Sequence, residues 1–244
     1  MALGDARWFA VDLHVPDRRF AMRHLGDDVI DRSSFLDTRI EAPPGESEAL
    51  DAARVDPAAL PRARVGWLFH TSFCASTLLA RCLHLPPFGV ALKEPLVLRR
   101  LSDARHAGRP LDDLIDPSVA LLARPWHPGG AVVIKPTHVA LNVAVDLLAA
   151  TPDGRAVFLT SSLEEFLISN LKKPPESQAK IPLLVERALR ATGLSARLPP
   201  AALQPPDLAC AAGLQWAAQQ ELLRHVVEAI GPARARPRHA AAAR

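Results

Sequence analysis

The chain has 244 residues, 49% of them hydrophobic and 23% charged, enough for one large domain or two small ones with a substantial core. Its net charge of +3 belongs to a tail, because Arg234, Arg236, Arg238 and Arg244 all follow the last acidic residue, Glu228, and the body is slightly acidic. The basic balance therefore argues for no nucleic-acid partner. Three cysteines without a CxxC pair exclude a disulfide framework and a cysteine metal site.

No apolar run reaches transmembrane length and no signal pattern opens the chain, so a cytoplasmic protein without a membrane partner is expected. Residues 1–64 read as an N-terminal extension. Its apolar runs at Trp8 to Val15, Phe20 to Leu25 and Phe35 to Ile40 suggest two strands and a turn of helix. Residues 42–64 suggest a surface connector holding one short helix.

From Val65 short apolar strands alternate with helices. Val65 to His70 is a strand, followed by a turn of small and hydroxyl residues and a helix to about Leu85. Gly89 to Lys93 is a second strand, with a helix opening at Pro95. Asp112 to Arg124 is helical, Ala131 to Lys135 a strand, Val139 to Ala150 a helix and Ala156 to Thr160 a strand. Ser162 and Glu165 have capping-box spacing for a helix to about Lys173, and a mobile-looking loop follows. Ile181 to Ala191 and Leu208 to Ile230 are helices, the second with an apolar residue at every fourth position from Leu214 to Ile230. Residues 65–230 thus predict an α/β domain, a three-layer sandwich with a central, mainly parallel sheet flanked by helices, and 231–244 a disordered basic tail.

In such sheets ligands lie at the carboxyl ends of the strands. That rule gathers His70 to Thr77, Lys93-Glu94, Lys135 to His138 and Thr160 to Ser162 on one rim. The turn from Thr71 through Ser72, Phe73, Cys74, Ala75, Ser76 and Thr77 to Leu78 can cradle a phosphate with backbone N–H groups, or be an ordinary capped helix start. It is not a Walker A loop and has no glycine. Cys74 reads as a small loop filler. Lys135 suits neutralising charge on a leaving oxygen, and His138, with His70 in reserve, suits proton abstraction; the alternative is a rim lysine in solvent and a histidine capping the next helix. Glu94 reads as a charge at a helix start, or as a residue that orients a substrate or pairs with Lys93 or Arg99.

Four of these pieces, in this order, resemble the sulfotransferases that use 3′-phosphoadenylyl sulfate (PAPS). FHTSFCASTLLARCL resembles their 5′-phosphosulfate loop, LKEPLVLRRL an E-P element common in bacterial members, and VVIKPTHVALNVAVDLL the strand ending in Lys-Thr-His. AVFLTSSLEEFLISNLK resembles the 3′-phosphate segment. Phe73 stands at the loop's usual basic position, Ala75 at its glycine and Ser161 at the usual arginine, while Thr77, Lys135 and Ser169 match. A short N-terminal stretch, Ser33 to Arg39, is also similar to one in uncharacterised bacterial members.

The resemblance implies a P-loop-type fold and sulfuryl transfer from PAPS to a small-molecule acceptor, without a metal. It implies Lys135 and His138 as catalytic, the Thr71 to Leu78 turn at the 5′-phosphosulfate, and Ser161 and Ser169 at the 3′-phosphate. Cations to replace the missing two are sought among Arg81, Lys93, Arg99, Lys172 and Lys173. A nucleotide-dependent kinase and a non-catalytic binding protein of the same fold are the alternatives.

Overall fold

Apolar residues at period two fold the start of the chain into an antiparallel sheet of its own. In the computed structural model, described over residues 1–40, 47–231 and the backbone of 235–239, this sheet has the order β1-β2-β3, with β1 (Trp8–His14), β2 (Arg19–His24) and β3 (Ser47–Asp51). Phe20 and Met22 in β2 are fully buried on one face. Helix α1 (Asp27–Arg32) follows β2 and buries Val29 and Ile30.

Two expectations are corrected here. The helical turn anticipated at Phe35 to Ile40 lies earlier, at α1, where the buried pair is. The connector expected to hold one short helix does hold a 3-10 turn, Ala52–Arg54, but also contributes β3, since Leu50 is buried opposite Phe20 and this pairing outweighs the helix propensity of a Glu- and Ala-rich run. Residues 42–46 of that connector lie outside the described residues.

The second sheet is parallel. Its strands are β4 (Val65–His70), β5 (Gly89–Lys93), β6 (Ala131–Lys135) and β7 (Arg155–Thr160), in the order β5-β6-β4-β7. Between them run α2 (Ser76–Cys82), α3 (Leu96–His106), α4 (Ile115–Leu122) and α5 (Ala144–Ala149). After β7 come α6 (Leu163–Leu171), α7 (Pro175–Gln178), α8 (Ile181–Thr192) and α9 (Leu208–Ile230). The result is the expected α/β architecture, a parallel sheet flanked by helices.

The path from β4 moves outward to β5, while the path from β6 crosses β4 to reach β7. Right-handed crossovers then put helices on both faces, and β4 is where the winding reverses.

Alternation divides the sheet's two faces. Trp67, Phe69, Val132, Ile134, Ala156 and Phe158 face the main core, which continues into the N-terminal sheet. Trp67 stacks on Phe69 and Phe69 on Phe158, each at 5.5 Å between ring centroids. The Trp67 indole N–H donates to Thr151 Oγ1 at 2.8 Å. The other face is thinner: Leu68, Ala80 and Leu159 pack with Cys74 beneath α2. Helices α8 and α9 form a satellite cluster, and no helix among the described residues is long and apolar enough to cross a membrane.

Ser162 and Glu165 form the expected capping box. Other local expectations shift. The helix after β6 begins as a 3-10 turn over 138–143, and part of the anticipated loop is the short helix α7. In the tail, β8 (Ala235–His239) pairs parallel with β7 where disorder was expected, the ladder supplying partners for its backbone; 232–234 and 240–244 lie outside the described residues.

Arg124 fastens the N-terminal sheet to this body. Its side chain is fully buried at the end of α4 and donates to the carbonyls of Leu121, Leu3, Asp5 and Trp8 at 2.7–2.8 Å. Burial pushes the guanidinium down to about 10, so it stays charged at neutral pH. Removing the cation strands four carbonyls that no aliphatic chain can satisfy. Arg124→Met is expected to lose about 3 kcal/mol in urea unfolding, given about 1.5–3 kcal/mol per hydrogen bond to a charged group; a loss below about 1 kcal/mol contradicts the clamp.

Candidate active site at the carboxyl rim of the parallel sheet

The turn after β4 takes the backbone through the left-handed region twice without glycine, at Phe73 (φ 59°) and Ala75 (φ 56°). Each such residue costs of order 1–3 kcal/mol, and strained positions of this kind gather at functional sites. Left-handed residues leading into a right-handed helix turn successive N–H groups toward a common concavity, a geometry suited to anions. Among the described residues, the N–H groups of Phe73, Ala75 and Thr77 have no backbone or side-chain acceptor.

The turn is held from inside. The Thr71 N–H donates to the Leu159 carbonyl at 3.0 Å, and the Cys74 thiol to the Thr71 carbonyl at 3.0 Å. Burial pushes the Cys74 thiol up, against a smaller opposing effect of its hydrogen bond with Ser76, so it is a filler rather than a nucleophile.

Lys135, at the end of β6, is fully buried and forms an ion pair with Glu94. Glu94 sits just past β5, itself left-handed (φ 55°), with its N–H donating to the Lys135 carbonyl at 2.7 Å. The carboxylate thus lies over the ammonium and 3.9 Å from His70 Nε2. Burial pulls the Lys135 pKa down, and Glu94 opposes this.

His70 sits between two carbonyls, Thr71 at 2.7 Å from Nδ1 and Pro136 at 3.0 Å from Nε2, and the neutral ring donates its one N–H to one of them. Burial and the Lys135 charge push it to about 3, leaving a neutral ring that braces β4 against β6. Burial and the neighbouring His70 likewise push His138 to about 3. The two rings meet edge to face with centroids 6.3 Å apart.

The N-terminal segment reaches this rim. Leu36 donates to the Lys93 carbonyl at 2.6 Å and accepts from Leu96 N–H at 3.0 Å. That anchors Phe35, whose ring centre lies 5.8 Å from Lys135 Nζ, and Arg39, which lies over the same ring at 3.8 Å. A pocket of about 280 Å³ opens there, lined by Arg39, Thr38, Glu94, Arg99, Arg100 and Thr137 among others.

Of the anticipated site residues, the turn, Lys135 and His70 come together. Ser161 is buried with its hydroxyl donating to the Ser72 carbonyl at 3.2 Å, so it positions the turn and its proton is engaged. Ser169 is partly exposed on α6, and Leu78 is 65% exposed, offering only its backbone. Phe73 packs edge to face on Phe166 of α6 at 5.4 Å, with Lys173 Nζ 4.7 Å from its ring centre.

Of the substitute cations, Lys93 is spent on the Ile30 carbonyl at 2.9 Å and Arg99 pairs with Asp103. Lys173 touches the turn through the Phe73 ring. Sequence reasoning gave Glu94 a helix-start role, a substrate-orienting role or a Lys93/Arg99 pairing, and did not pair it with Lys135. The signal available was its place directly after a buried strand and before Pro95. Arg39 and Phe35 were flagged only through the N-terminal likeness.

Neither protein-family profiles nor curated protein sequences match this chain.

The strain in the turn has a measurable consequence. Ala75→Gly is expected to leave unfolding free energy unchanged or raise it by up to about 1 kcal/mol, where the same change in an ordinary helix loses about that much. A loss of about 1 kcal/mol in urea titration contradicts a left-handed Ala75.

Proposed function

We propose that this chain transfers a sulfuryl group from PAPS to a hydroxyl or amine of a small molecule. The observation that carries the reading is the pair of left-handed non-glycine residues, Phe73 and Ala75, whose turn offers unpaired N–H groups on the same rim as a buried lysine. The parallel sheet, with its winding reversal at β4, supports a ligand at this rim.

In this mechanism the turn from Thr71 to Leu78 holds the 5′-phosphosulfate and Ser169 faces the 3′-phosphate. The acceptor enters by the pocket beside Glu94, Arg39 and Thr137. Its oxygen or nitrogen bonds to sulfur as the bond from sulfur to the bridging oxygen breaks. Lys135 stabilises the charge left on that oxygen, and the acceptor's proton passes to the Glu94 carboxylate. His70 and His138 brace this arrangement: the His70 ring is enclosed between two carbonyls, and His138 does not line the Glu94 pocket. The position beside Phe73 regains a cation from Lys173, worth about 1.5–3 kcal/mol if it contacts a phosphate. A reducing, cytoplasmic setting belongs to the same reading and is supported by three unpaired cysteines.

The neutralisation of Lys135 by Glu94 favours a second reading, a binding protein that keeps the fold without turnover. Incubation with sulfur-labelled PAPS and a panel of phenols, alcohols and amines separates the two. Transfer of label is expected, with Lys135→Met lowering kcat/KM at least about 100-fold, which is about 2.7 kcal/mol. PAPS binding without transfer supports the second reading. Equal rates in Lys135→Met, or magnesium-dependent ATP consumption instead, contradict both.

A further inference from the structure

Behind the rim, where the 3-10 turn after β6 meets α3, α8 and α9, there is a cavity of about 20 Å³. Four of its lining side chains turn buried polar atoms toward no partner: His138 Nε2, Asn142 Oδ1, Gln215 Oε1 and Gln219 Oε1. Gln215 is 1% exposed and Gln219 4%, and they sit one turn apart on α9. Buried polar atoms are almost always hydrogen-bonded, and one orphan costs about 1–3 kcal/mol. Four orphans in one small cavity from two elements are a built site, not scattered errors of packing.

The size and the donor set narrow the occupant. A cavity of this volume exceeds the roughly 10–15 Å³ that one water needs, and a buried water commonly makes about three hydrogen bonds. A small cation would suit four lone pairs, but the residues lining the cavity include no carboxylate to balance its charge, and Arg187, itself paired with Asp103, and His106 also line it. A water accepts from the His138 Nε2–H and donates to two amide oxygens. Turning one glutamine amide so that its NH2 group donates completes the fourth contact.

We propose that one water molecule is bound in this cavity as an integral part of the fold, linking His138 to Gln215 and Gln219, which act as positioning residues for it. The turn after β6 is tied to α9 by this link, and His138 presents Nε2 to the helix rather than to the acceptor pocket. The inference does not depend on the sulfuryl-transfer reading.

A high-resolution crystal structure of the unmodified chain, with a parallel crystal soaked in thallium(I), tests the site directly. A single ordered peak within hydrogen-bonding distance of His138 Nε2 and at least two of the three amides is expected, with no anomalous signal from thallium. A dry cavity, side chains paired with one another, or a thallium peak overturns the proposal. In solution, nitrogen-15 NMR should show a slowly exchanging His138 Nε2–H, assigned by its disappearance in His138→Gln. Gln219→Leu is expected to speed that exchange at least tenfold, while Gln220→Leu, outside the cavity lining, leaves it unchanged. Equal exchange in Gln219→Leu and the unmodified chain contradicts the positioning role.

Discussion

A fully buried ammonium has to find a counter-charge, and here that requirement shapes the rim of the sheet. Taking Lys135 out of water costs several kcal/mol unless an anion meets it in good geometry. Glu94 meets it from the neighbouring strand, and to do so its backbone enters the left-handed region and its N–H bonds the Lys135 carbonyl. The pair fixes β5 against β6 at their carboxyl ends. It sets where α3 starts, one residue after Pro95, and gives the N-terminal segment a surface to bind through Phe35 and Arg39.

The same interaction decides how the neighbouring histidines behave. A positive charge beside His70 discourages a second one, and both of its ring nitrogens face carbonyls of the strand ends. His138 turns its Nε2 into the interior. What remains on the open side of the rim is a carboxylate over a lysine, a concave run of backbone N–H groups, and a pocket edged with arginines. That inventory suits moving a group off a phosphate-bearing donor onto a hydroxyl or amine. Lys173 brings a cation to the turn through an aromatic contact: Phe73 folds onto Phe166, and the lysine at the end of α6 comes over its ring.

The parts legible in the sequence were those governed by local rules. Buried strands four to six residues long, Pro and Gly punctuation, and the Ser162–Glu165 capping box placed the parallel sheet and named its rim. The strand at 47–51 was hidden because its helix-forming composition is overruled by a distant partner, β2. The 3-10 start after β6 was hidden because the hydrophobic period does not distinguish it from an α-helix. At the site, the turn and Lys135 were readable from their positions after strands. The role of Glu94 was not, since its partner lies 41 residues away and the intervening chain gives no sign of the register that joins them. Ser161 was placed on the rim correctly, but only the hydrogen bond to Ser72 shows that its hydroxyl is engaged by the turn.

The central claim is that the turn between β4 and α2 holds the donor's 5′-phosphate through its backbone. Amide NMR during titration with 3′-phosphoadenosine 5′-phosphate reports binding and its location together. The account predicts saturable shifts centred on the N–H groups of Phe73, Ala75 and Thr77, with smaller ones at Ser169. Shifts confined to other parts of the chain, or none up to millimolar nucleotide, would contradict it.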